Sequence, residues 1–421
     1  MRTKTLALAA TCCIASFAQA QPLTLAEVMR RAEEASPVVL AREAQLAAVE
    51  GRQREAGRIL FNNPSLAIEA ARRRAEGVSG SAGEYDIHVT QPVEIGGQQS
   101  HRRDAAAAAL EALRAEIEDD RRQARADAAS RFQAILSARR KVALERRATD
   151  LFSSVSEAVT RRRAAGEDTR LDANVASVEA ERSRNALSVA DEQLLNARSE
   201  LAALLQLPPM QLPEVVGEHT DVASVPFDPS AYTLDQLLAA AQSLPRLRAL
   251  GAREQAARAK LDVERANRYP DVTVGVATGR EGFTDVRERV TRLTVSVPLP
   301  LFKRNEAAIG QALTDVTQAE VERVAARRDA EAQVRRLWSR LASQRERVLR
   351  LQRTMLPASV DNQQLASRSR SAGQIGLLEQ VQINRQALDA ERELNDALAE
   401  YRSTQIELEL AAGLQSQGAR P

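Results

Sequence analysis

The side chains that could do chemistry in this 421-residue chain are few. Histidine occurs at His88, His101 and His219 alone, and both cysteines, Cys12 and Cys13, lie within the first 20 residues. A metal centre needs several converging ligands at short spacing, and three scattered histidines supply none, so they read as unrelated surface residues. No Ser-His-Asp set, glycine-rich phosphate loop or catalytic carboxylate pair stands out, and the chain does not read as an enzyme or as the holder of a cofactor. The acids that invite comparison are Asp172 and Glu379. Each stands six residues after a glycine, 172 − 166 = 6 and 379 − 373 = 6. At the start of a helix a carboxylate complements the positive end of the helix dipole, and that alone accounts for an acid there.

The elements that place these acids are unusually long. Residues 98–205 read as helix broken only at Gly166, in RRRAAGEDTRLD (161–172). Glycine tolerates the left-handed conformation that ends a helix, and Asp168 or Thr169 can cap the next one. A helix from about Gln98 to Ala165 would run about 100 Å, so it must pack along other long helices. Leu110, Leu113, Ile117, Ala124 and Ala128 recur at coiled-coil spacing, as do Leu194, Ala197, Leu201 and Leu204.

The plan occurs twice. Gly373 stands to RSAGQIGLLE (370–379) as Gly166 does to the first tip, 373 − 166 = 207, and Pro37/Pro245, Pro64/Pro270 and Pro92/Pro298 repeat with offsets of 208, 206 and 206. Each half opens with a helix and then changes to period-two alternation, the mark of strands with two different faces. In the first half Leu66, Ile68 and Ala70 alternate, then Tyr85, Ile87 and Val89; in the second, Val272, Val274 and Val276, then Leu293, Val295 and Val297. Val334, Leu337, Leu341, Val348, Leu351 and Met355 form the outgoing seam of the second helical hairpin, and Leu394, Leu398, Tyr401, Gln405 and Leu408 the returning one.

The expected organisation is therefore a signal peptide over 1–20 and a first repeat over 21–207, with strands near 64–74 and 85–95 and a helical hairpin over 98–205. A linker over 208–231 leads to a second repeat over 232–415, with strands near 270–279 and 289–299 and a hairpin over 304–412, and then a tail over 416–421. The leader carries Arg2 and Lys4, an apolar run and Ala18-Gln19-Ala20, the pattern of export with cleavage. Without it the cysteines are gone and the charges balance, 59 − 2 = 57 basic against 57 acidic. That balance, with aromatics at 3%, argues against nucleic acid. After residue 20 no apolar run reaches the length of a membrane-spanning helix. The strands do reach the length that crosses a bilayer when tilted, but four strands cannot close a barrel, and an open sheet edge is not tolerated in lipid. Either the sheet is soluble or several chains share one barrel.

NNPSLAIEA (62–70), VTQPVEIGGQQ (89–99), RRRAAGEDTRLDANVASVEAER (161–182) and LLQLPP (204–209) in the first half resemble the TolC-like outer-membrane efflux proteins. So do RYPDVTVGVATG (268–279), SVPLPLFKRNEAAIG (296–310) and RSAGQIGLLEQVQINRQAL (370–388) in the second. The resemblance covers nearly all of residues 22–415. The resemblance implies a mainly α chain with a small β part. In it a homotrimer closes a 12-stranded barrel in outer-membrane lipid and continues it as a periplasmic α-helical barrel. It implies a passive duct fed by an inner-membrane RND pump and a periplasmic adaptor (membrane fusion protein), with no catalysis. VPLPLFKRN resembles the branch paired with cobalt–zinc–cadmium pumps, which implies divalent heavy-metal cations as cargo. General drug or solvent efflux, protein secretion, and a pore-free periplasmic coiled-coil scaffold stay open on the sequence. The family position of Glu379 implies an acidic ring at the periplasmic entrance, with Asp172 as its first-half counterpart, while the neutral Gln382 departs from a double ring. The tips around Arg163 and Gly166, and Arg370 and Gly373, are the expected adaptor contacts.

Overall fold

A computed structural model describes residues 22–74, 81–208, 211–217, 232–282 and 287–414. The leader, most of the linker, the tail and the Gly77–Gly83 turn up to residue 80 lie outside them. Helices α1 (Leu25–Ala35), α2 (Pro37–Ala44) and α3 (Leu46–Ala56) form the entry segment. It breaks at Ser36, which caps α2 ahead of Pro37 at its first position, and again at Gln45.

Strands β1 (Ser65–Arg73) and β2 (Ala82–Val93) follow. Then α4 runs unbroken from Gln98 to Ala164, and α5 (Arg170–Leu204) returns along it. The second repeat gives α6 (Leu234–Ala241), α7 (Pro245–Ala266), β3 (Val272–Glu281), β4 (Glu288–Ser296), α8 (Glu306–Arg350), α9 (Leu356–Ser371) and α10 (Leu377–Ala412). Both helices that leave the sheet start after a left-handed residue, Gly97 at φ 77° and Asn305 at φ 59°; Asn is the side-chain-bearing residue that adopts this conformation at least cost.

The core is a line of small clusters rather than one centre. Near the N-terminal helices, Val28, Ala32, Phe132, Ile135 and Leu201 join α1, α4 and α5. In the second repeat, Leu237, Leu337, Leu341, Leu398 and Tyr401 join α6, α8 and α10. Toward the tips, Phe152, Val159, Ala176, Ala180, Leu377 and Val381 pack the two hairpins on each other. Each buried Leu or Phe contributes about 2 kcal/mol, so a helix about 100 Å long is held by many modest contacts along its length.

One expectation fails in the second hairpin. Met355 was placed on the buried seam, yet it is exposed. Leu351–Met355 form a π turn ahead of Pro357 in the first turn of α9. Proline has no N–H to donate to the preceding turn and crowds it. The wider turn takes up the mismatch and rotates Met355 off the seam.

Candidate functional site

Two regions carry the functional geometry, the sheet at one end of the chain and the hairpin tips at the other. The four strands are all antiparallel, in the order β1-β2-β3-β4. Leu66 pairs with Val89, Val89 with Val276, and Val276 with Leu293, which puts four apolar side chains in one row across the sheet. All four are exposed, as are Ile68, Ile87 and Val295 on the same face. An apolar face of this extent left to water marks contact with something apolar.

The opposite face is charged. Asp86 accepts a hydrogen bond from Arg292 Nη1 at 2.7 Å, and Arg292 also contacts Glu281. His88 Nε2 lies 3.4 Å from Asp86 Oδ2 and 3.9 Å from Glu69 Oε2. His88 is thus no isolated surface residue, a correction to the sequence reading; strand pairing brings Glu69 of β1 to it, and brings Arg292 of β4 to Asp86. Among the described residues, no group of three His, Cys, Asp or Glu side chains is arranged to hold a metal ion, and no helix is long and apolar enough to cross a membrane.

The two tips are built alike. Gly166 at φ 81° and Gly373 at φ 71° end their helices. Each is followed by the same closing hydrogen bond, Glu167 N to Arg162 O at 2.9 Å and Gln374 N to Ser369 O at 2.8 Å. The restart differs. Of the two capping candidates the structure uses Thr169, whose hydroxyl accepts from Asp172 N at 3.1 Å while Asp172 Oδ2 accepts from Thr169 N at 3.0 Å. The hydrogen bonds from the Thr169 hydroxyl and backbone, helped by the nearby Arg370 charge, hold the Asp172 carboxyl below the usual carboxylate range. In the second tip the capping position is Gly376, with no side chain to offer. Glu379 is exposed, and among the described residues it makes no ion pair.

Asp168, released from capping, reaches the other tip. It accepts from Arg370 Nη2 at 2.6 Å, and its side chain is 4% exposed. Arg162 Nε stands 3.3 Å from its second oxygen. Arg163, the first-repeat counterpart of Arg370, is exposed and has no ion pair among the described residues. The structure therefore joins the two tips through Asp168 and Arg370. No hydrogen bond or ion pair joins Asp172 to Glu379.

Comparison with known proteins agrees with this architecture. Residues 237–414 match the family model described as outer membrane efflux protein. The chain is 28% identical over 310 residues to the cobalt-zinc-cadmium resistance protein CzcC of Cupriavidus metallidurans, covering 74% of this chain and 71% of that one. Over residues 237–414 the chain is similar to outer membrane efflux proteins. The fold superposes on CusC with a TM-score of 0.75 at 16% identity, covering 92% and 91% of the two chains. It matches VceC of Vibrio cholerae with a TM-score of 0.74 at 18% identity, covering 93% and 97%.

Proposed function

We propose that three copies close a single 12-stranded barrel and form the passive exit duct of a tripartite efflux system, fed by an inner-membrane RND pump through a periplasmic adaptor. The observation that carries this reading is the sheet: four antiparallel strands, one outward apolar face, and unpaired edges on β1 and β4. In hydrocarbon those edges must be satisfied, and other copies of the chain supply matching edges. Mass measurement of the detergent-solubilised protein tests it; a trimer is expected, and a stable monomer overturns the shared barrel.

Divalent heavy-metal cations are the proposed cargo. The support is the relationship to CzcC, named for cobalt, zinc and cadmium resistance, together with the VPLPLFKRN junction. A host deprived of its own metal exporters should regain zinc and cadmium tolerance when this chain is supplied with its pump and adaptor. Restored drug tolerance with no metal effect would point instead to a drug duct.

At the tips, Arg163, Gly166, Arg370 and Gly373 are the proposed adaptor contacts, because they lie at the ends of the hairpins farthest along the chain from the strands. Cysteines at Ala165 and Ala372 should crosslink to the adaptor. Asp172 and Glu379 are proposed to line the periplasmic constriction, where threefold symmetry would multiply their charge. Rings of carboxylates favour cations. In a planar bilayer, Asp172→Asn with Glu379→Gln should lower cation preference and block by multivalent cations; unchanged selectivity and block would reduce both to ordinary helix-start acids.

A further inference from the structure

Where the chain passes between sheet and helices, it repeats one arrangement. Arg58 precedes Ile59 and Leu60 on the way into β1. Arg268 precedes Tyr269 on the way into β3. Leu301 and Phe302 precede Lys303 and Arg304 on the way out of β4. In all three passages the apolar side chains lie on the strand side and the cations on the helix side. All of these residues are exposed, Ile59 at 85% and Phe302 at 99%.

The three passages are tied to one level. Gln99 Nε2 donates to Arg58 O at 3.2 Å, and Gln98 Nε2 to Tyr269 O at 2.8 Å. Asn305 Nδ2 donates to Glu264 O at 2.9 Å, holding the third passage to the helix that leads to the second. Two acids at this level are engaged by neighbours, Glu94 by Arg102 and Asp271 by Asn62 Nδ2 at 2.9 Å, while Glu306 at the start of α8 is exposed. Among the described residues, Arg58, Arg268, Lys303 and Arg304 have no ion-pair partner.

The exposed apolar face of β4 also continues past the strand. Leu293, Val295, Val297, Leu299 and Leu301 are all exposed at alternate positions, although the strand ends at Ser296. Pro298 and Pro300 between them lack backbone N–H donors and suit an edge that need not be paired there. The outward apolar surface of the sheet therefore runs to the level of the four cations.

We infer that this belt is a headgroup collar: the exposed aromatic and aliphatic side chains enter the acyl boundary of the inner leaflet, and Arg58, Arg268, Lys303 and Arg304 bind the phosphates of anionic phospholipids. The inference rests on the outer-membrane assignment and adds the lipid class that this end of the barrel recognises. Aromatic and basic residues in this order match the gradient of a membrane interface, and clustered Lys and Arg beside it select anionic headgroups. With nine passages of this type between sheet and helices in a proposed trimer, the collar encircles the base of the barrel.

Full-length protein is reconstituted in phosphatidylethanolamine vesicles with and without phosphatidylglycerol, and the lipids retained on the oligomer are counted by native mass spectrometry. The wild type should retain phosphatidylglycerol in preference. The combined variant Arg58→Gln, Arg268→Gln, Lys303→Gln and Arg304→Gln should lose at least about tenfold of that retention at unchanged oligomer mass. Equal retention overturns the collar. A fluorophore on Phe302→Cys should be quenched by lipids brominated near the headgroup. Absence of quenching, or efficient disulfide formation with Phe61→Cys of a second copy, overturns it as well and makes the surface an interface between copies. Failure to enter vesicles at all would overturn duct and collar together, whereas an inserted oligomer without lipid preference overturns the collar alone.

Discussion

Arg370, on the second hairpin tip, donates to Asp168 on the first across 2.6 Å, with the Asp168 side chain 4% exposed and that of Arg370 16% exposed. The pair is the polar fastening between the ends of the two hairpins. Removing one partner of a buried ion pair strands the other charge and costs about 3–5 kcal/mol; Arg162 beside Asp168 places the expected loss at the lower end. Arg370→Ala should broaden the distance distribution between spin labels at Ala165 and Ala372 measured by pulsed electron spin resonance. An unchanged distribution would show that the apolar contacts below the tips hold them without the pair.

The Thr169–Asp172 capping box has a defined pH dependence. The folded carboxyl of Asp172 titrates below the usual range. Its contribution is therefore fully present above the unfolded value and is lost as pH falls through the lower folded value. The protection factor at the first turn of α5, which is the exchange rate corrected for its intrinsic pH dependence, should be high at neutral pH and fall on acidification. Asp172→Asn should bring the neutral-pH protection factor close to its acid value, for a loss of about 1 kcal/mol. A first turn whose exchange is the same in both proteins would remove the box as its support.

Farther along the hairpins, Arg392 holds Glu145 in a two-pronged pair, at 2.8 Å and 2.7 Å, with the Glu145 side chain 3% exposed. Donating these hydrogen bonds to the Glu145 carboxylate raises the Arg392 guanidinium above its ordinary value. Arg392→Ala should destabilise the protein by about 3–5 kcal/mol, while the double change Arg392→Leu with Glu145→Leu should recover most of it. Thermal denaturation in detergent reads both, and a single variant no worse than the double would argue against a penalty for the stranded carboxylate.

In the sheet, Gly279 faces the charged side at a close approach of two backbones. A Cβ there would meet Tyr85 O at 2.5 Å, a backbone atom that cannot swing away. Gly279→Val should block pairing of β2 with β3 and leave no heat-modifiable oligomer on a gel of outer membranes. Normal assembly of this variant would show that the two strands separate more readily than their pairing implies.

Local patterns already determine much of this molecule. The seam through Leu110, Leu113 and Ile117, the alternation through Leu66 and Ile68, and the tip glycines Gly166 and Gly373 act over a few residues, so the sequence by itself shows long helices, paired strands and reversals, all twice. Phrases such as RSAGQIGLLEQVQINRQAL added a resemblance to the TolC-like outer-membrane efflux proteins. Tertiary structure decided what depends on residues far apart in the chain. Asp168 and Arg370 are 370 − 168 = 202 residues apart, and only the packing of one hairpin on the other shows that Asp168 serves as a fastening while Thr169 does the capping. His88 is a lone histidine in the sequence and stands beside Glu69 and Asp86, with Arg292 bound to Asp86, once β1 and β4 flank β2 and β3. The belt of Arg58, Arg268, Lys303 and Arg304 is three unrelated pieces of sequence until hydrogen bonds from Gln98, Gln99 and Asn305 hold its passages together. Met355 fits the heptad spacing and misses the core, because Pro357 two residues later widens the helix by a turn that spacing alone does not register.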